Sequence, residues 1–79
     1  MKTTHVLIDS IDKVKAFVNK IGRFDYDFDL ISGRYVIDAK SIMGVLSLDI
    51  SKPIQLDIHV NDESDAAEIM KAIDEYVAG

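Results

Sequence analysis

The sequence predicts an α+β fold in which three helices cover one face of a four-stranded antiparallel sheet and leave the other face to water. Three observations predict it. Along the 79 residues the spacing of apolar positions alternates between strand and helix periods, in the order β-α-β-β-α-β-α. Each helical stripe is one-sided, so each helix needs a single apolar neighbour. The strands alternate apolar with polar residues, as in an antiparallel sheet with one solvated face.

The elements follow in turn. Thr3 to Ile8 is rich in β-branched residues and predicts a strand. Asp9-Ser10 offers side-chain oxygens to the unpaired N–H groups of a helix start. From Ile11 the apolar positions Ile11, Val14, Phe17, Val18 and Ile21 form one helical stripe. Gly22 is expected to end that helix in the left-handed conformation of a C-cap. Phe24, Tyr26, Phe28 and Leu30 alternate with Asp25, Asp27 and Asp29, which predicts a second strand whose carboxylates line the open face. Ser32-Gly33 is a turn, and Arg34 to Asp38 returns as the hairpin partner. Ser41 caps a short helix over Ile42 to Leu48. Ile54, Leu56, Ile58 and Val60 alternate with Gln55, Asp57 and His59 in the fourth strand. Beyond the cap-rich Asn61 to Asp65, a final helix buries Ala66, Ile69, Ile73, Tyr76 and Val77.

Composition narrows the function. Residues 1–79 show no linker, repeat or low-complexity run, so one domain is expected. With 48% apolar and 29% charged residues the chain is globular and not disordered. The absence of cysteine excludes disulfides and thiolate metal sites and fits a reducing cytoplasm. No secretory signal is expected, and no apolar run approaches the roughly 20 residues of a membrane span. A net charge of −5 repels polyanions, so nucleic acid is not an expected partner.

Few residues promise chemistry. His5 and His59 fall on the polar sides of strands one and four and would approach each other if those strands are neighbours. Two imidazoles without a further ligand do not make a metal site, and no metal or cofactor is expected. Asp25, Asp27 and Asp29 begin like a calcium loop, but Leu30 stands where glycine is needed and Val36 where the closing glutamate is. No base, metal cluster or phosphate loop converges anywhere, so an enzyme is not expected.

The segment Ala39-Lys40-Ser41-Ile42-Met43-Gly44-Val45-Leu46-Ser47-Leu48, followed by Asp49-Ile50-Ser51-Lys52, resembles the regulatory-serine segment of the HPr family, the histidine phosphocarriers of the bacterial sugar phosphotransferase system. The resemblance runs from about Ile11 to Val77. It implies an open-faced sandwich with strand order 1-4-2-3. It makes Ser41 the counterpart of the regulatory phosphoserine, and Ile42, Met43 and Leu46 the counterparts of an apolar docking patch. It also implies a protein-docking role for the first helix, where Lys13 and Lys20 share a face.

One departure bears on function. The family carries its phosphate on the histidine of a His-x-Arg-Pro sequence where the first helix begins. Here no histidine, arginine or proline lies between Ile8 and Lys13, and the loop is shortened. Counting back from Ser41 puts Ser10 at the histidine's place and Asp12 at the arginine's. A phosphohistidine relay needs an imidazole nucleophile and a cation, and a serine ester is too stable to pass its phosphate on. The expected function is therefore a non-catalytic regulatory or protein-binding module of the cytoplasm, with a divergent phosphocarrier as the alternative.

Overall fold

The computed structural model describes residues 1–78. Its elements are β1 (Lys2–Val6), α1 (Ile11–Ile21), β2 (Phe28–Ser32), β3 (Tyr35–Asp38), α2 (Ile42–Leu46), β4 (Ile54–Ile58) and α3 (Glu63–Ala72), closed by a 3-10 turn over Asp74–Tyr76. All strand pairs are antiparallel and the sheet order is β1-β4-β2-β3, as the resemblance implied.

Strand alternation decides what the sheet buries. Val6, Phe28, Leu30, Ile54, Leu56 and Ile58 point to the helices and are buried. Val14, Phe17 and Ile21 of α1, Val45 of α2, and Ile69 of α3 meet them. The opposite face carries two registered rows across all four strands. One is Thr3, Asp57, Asp29 and Asp38, and the other is His5, Gln55, Ile31 and Val36. Directly opposed like charges oppose pairing, so the aspartate row is a standing cost. Thr3 Oγ1 and Gln55 Nε2 donate to Asp57 Oδ1 at 2.9 and 3.1 Å, and His59 Nε2 lies 2.7 Å from Asp29 Oδ2, which spreads that charge.

Several boundaries differ from the sequence expectation, each for a local reason. β1 stops at Val6 because Leu7 N–H leaves the sheet to donate to Tyr76 O at 2.8 Å. Ile11, expected in the buried stripe, is 56% exposed as the first residue of α1, and the buried stripe begins at Val14. Gly22 is right-handed (φ −61°, ψ −17°), not left-handed, and its N–H continues the helix to Val18 O at 3.0 Å. A Cβ at Gly22 would stand 3.2 Å from Val18 O, so a close approach and not a positive φ favours glycine there.

β2 begins at Phe28, not Phe24. Phe24 N–H bonds Ile21 O, Phe24 O takes the Lys40 ammonium, and Tyr26 O–H bonds the Asp65 carboxylate. The alternation therefore reflects side chains packed from a turn, and of the three expected carboxylates only Asp29 lies on the strand's open face. α2 ends at Leu46 and not Leu48, where Ser47 caps it. The final helix does not run unbroken to Val77. Ile73 (φ −102°, ψ 8°) ends α3, and the 3-10 turn aims Tyr76 edge-on at Phe17, 5.6 Å between ring centroids at 84°. Val77 then pairs with Val6, and Ala78 N–H donates to His5 O at 2.9 Å, strapping the outer edge of β1.

Candidate functional site

Two serine-capped helix starts hold the residues that the sequence singled out. At the first, Ser10 is the N-cap of α1 (φ −146°, ψ 158°), and its Oγ accepts the Lys13 N–H at 3.1 Å. Asp9 forms an ion pair with Lys13 at 2.9 Å, whose ammonium holds the Asp9 carboxyl below the usual carboxylate range. Asp12 lies exposed in the first turn. The position thus offers one hydroxyl between two carboxylates.

No imidazole reaches this end from elsewhere. His5 lies opposite Gln55 on the open face of the sheet, while His59 follows β4 at the opposite end, its N–H bonded to Asp27 O. β1 and β4 are neighbours, yet the two histidines do not meet. Among the described residues no group of three or more His, Asp or Glu side chains is placed to hold a metal ion.

The second start is α2. Asp38 sets it up: its carboxylate takes Lys40 N–H and its carbonyl takes Ser41 N–H, both at 3.0 Å. The Lys40 ammonium reaches Phe24 O at 2.8 Å and lies 5.5 Å from the centre of the Phe28 ring, which ties the turn to the core. Ser41 is an exposed N-cap whose Oγ accepts Gly44 N–H at 3.2 Å. Met43 is 82% exposed and Ile42 37%, while Leu46 packs partly against the core and Val45 is buried. Of the expected apolar patch, Ile42 and Met43 face water and Leu46 forms its floor.

Gly44 lets α2 lie this close to β3, since a Cβ there would stand 2.8 Å from Ile37 Cγ2 and 3.2 Å from Ser41 Oγ. Gly44→Ala should therefore destabilise the fold by roughly 1–2 kcal/mol, an overpacking cost that exceeds the better helix propensity of alanine. Chemical denaturation checks this, and adding Ile37→Ala should make the pair cost less than the two single changes together.

Lys13 and Lys20, expected to share a basic face, are both matched by acids. Lys13 holds Asp9, and Lys20 holds Glu75 while lying 5.5 Å from the centre of the Tyr76 ring. The contact raises the Lys20 pKa and lowers that of Glu75. Sequence reasoning missed two further exposed apolar residues, Tyr35 and Val36, each 63% exposed. Strand alternation places them on opposite faces, but only the sheet order reveals that they sit on a bare edge.

The open-faced sheet and the serine-capped α2 define a small α+β domain of phosphocarrier type. A model of the PTS-HPr family, described as the HPr component phosphorylation site of the phosphotransferase system, matches residues 13–79, and the chain belongs to that family. Among solved structures it is similar to HPr-C-His from Thermoanaerobacter tengcongensis, at 24% identity over 95% of this chain and 93% of that one, with a TM-score of 0.73. It is also similar to Crh, the Bacillus subtilis catabolite repression containing protein seen as a domain-swapped dimer. There the identity is 29% over 96% of this chain and 88% of that one, with a TM-score of 0.63. The family match begins three residues past Ser10.

Proposed function

We propose that this protein is a regulatory, protein-binding member of the HPr family that does not relay phosphate through histidine. It acts as one domain in the bacterial cytoplasm, in carbohydrate control, through the surface around Ser41. The observation that carries this reading is the contrast between the two helix starts. At α1, Ser10 stands between Asp9 and Asp12 with no imidazole, whereas α2 presents an exposed Ser41 hydroxyl beside exposed Ile42 and Met43. Methionine on an exposed helix suits adaptable protein contacts. A phosphate on Ser41 would add close to two negative charges beside that apolar patch and alter which partners it accepts. Similarity to Crh, whose name places it in catabolite repression, supports a regulatory reading.

A divergent phosphocarrier is the second reading, and the exposed imidazole of His5 favours it. One experiment separates them. The protein is incubated with enzyme I of the phosphotransferase system and phosphoenolpyruvate, and separately with the family's serine kinase and ATP, and read by intact mass. The expected result is no phosphate from the first reaction and one stable phosphate from the second, absent in Ser41→Ala. An acid-labile phosphate gained from enzyme I would overturn the regulatory reading, and none from the kinase would remove the Ser41 switch from it.

A further inference from the structure

The chain has no cysteine, so its three methionines hold all of its sulfur. They stand in different surroundings. Met70 is half-buried on α3 and packs against the core, and Met1 is exposed at the start of the sheet. Met43, two residues beyond the Ser41 cap, is 82% exposed, the most exposed large apolar side chain among the described residues. We propose that Met43 is a redox-sensitive modification site: a peroxide converts its thioether to the sulfoxide, which turns the apolar patch beside Ser41 polar and leaves the fold intact. Its consequence for partners rests on the reading of the Ser41 surface as a protein-binding one.

A lone pair of the Met43 sulfur attacks one oxygen of hydrogen peroxide. The O–O bond breaks and an S–O bond forms. The second oxygen leaves as hydroxide and takes the proton of the transferred hydroxyl, giving water. Sulfur loses two electrons and the peroxide gains them. The product is a polar, chiral side chain, and a sulfoxide reductase that draws two electrons from a dithiol returns it to the thioether. Peroxide must touch the sulfur, so exposure separates Met43 from Met70.

The short helix tolerates the change because other residues hold it. Ser41 Oγ accepts Gly44 N–H at 3.2 Å, Val45 is buried, and Gly44 lies close against Ile37. A sulfoxide at Met43 therefore stays in water, whereas one at Met70 sets a polar oxygen against the core. A partner that covers the patch meets the opposite situation. It would bury the Met43 side chain, and after oxidation it would have to bury the sulfoxide oxygen as well. Ser41 and Met43 thus give one surface two inputs, a charge added by a kinase and a polarity added by an oxidant.

The test treats the intact protein with hydrogen peroxide and follows oxygen uptake by peptide mass mapping. Met43 should be oxidised well before Met70, and protein oxidised at Met43 but not at Met70 should melt where the untreated protein does. That protein should accept phosphate on Ser41 from the family's serine kinase and ATP roughly tenfold more slowly, the order of loss when one buried methionine contact goes. Methionine sulfoxide reductase with dithiothreitol should restore the rate. Met43→Leu, whatever its own rate, should not respond to peroxide. Met70 oxidised as fast as Met43, a melting point that falls with Met43 oxidation, a kinase rate unmoved by peroxide, or a Met43→Leu variant that still responds overturns the proposal. Untreated protein that the kinase does not phosphorylate at all counts against the Ser41 switch instead, and the order of oxidation and the melts still decide whether Met43 is the oxidation site.

Discussion

Phe17→Ala is expected to lower the free energy of unfolding by about 3–5 kcal/mol, the usual cost of emptying a buried aromatic site. Phe17 is fully buried in α1 and meets the Tyr76 ring edge-on, so the change removes both core volume and an aromatic contact. Small domains are stabilised by only about 5–15 kcal/mol, and each kcal/mol moves the midpoint of a chain this size by roughly 4–8 °C. The melting midpoint followed by circular dichroism should therefore fall by more than about 12 °C. Ile11→Ala is the control: it belongs to the same apolar spacing but is largely exposed, and should change stability by less than about 0.5 kcal/mol. Equal losses in the two variants would mean that the helix buries a different face from the one described.

Restoring the histidine should not restore phosphate transfer. Ser10→His is expected to gain no phosphate from enzyme I and phosphoenolpyruvate, and to lose about 0.5–2 kcal/mol with the N-cap. An imidazole at this position would find Asp9 and Asp12 beside it and no arginine, and the nearest cation, the Lys13 ammonium, is already bound to Asp9. The free N–H groups of a helix start favour an anion, but two carboxylates already supply that charge. Intact-mass measurement decides the outcome. A phosphorylated Ser10→His would show that the histidine alone separates this chain from a carrier. Replacing Asp9 and Asp12 by asparagine in the same background tests whether charge is the obstacle.

Local chemistry was the legible part of the sequence. Ser10 and Ser41 cap the helices that their positions predicted, because an N-cap depends on a side-chain oxygen and the N–H groups just beyond it. The alternation from Ile54 to Ile58 marked β4 because that strand lies between two neighbours and buries one face. The same alternation misled at Phe24 and Tyr26, whose backbone serves the end of α1 and the Lys40 contact. Periodicity records which side chains are buried, not which backbone groups are paired. The break at Ile73 was equally hidden, since the spacing of Ile69, Ile73, Tyr76 and Val77 fits a continuous helix as well as a helix followed by a 3-10 turn. At the candidate site, Ser41 and Met43 are exposed, which the spacing of so short a helix does not decide by itself. The Lys20–Glu75 and Lys13–Asp9 pairs show why a basic helix face read from one element alone was incomplete.

The strap that Val77 and Ala78 lay along β1 also sets a limit to growth. On the outer side of β1 the His5 carbonyl and the Leu7 N–H are already taken by residues of the same chain. Stacking face to face is opposed as well, because each open face carries Asp29, Asp38 and Asp57 in one row. By taking the His5 carbonyl and the Leu7 N–H, residues 76–78 guard the Val6 end of the β1 edge against the strand addition that builds fibres.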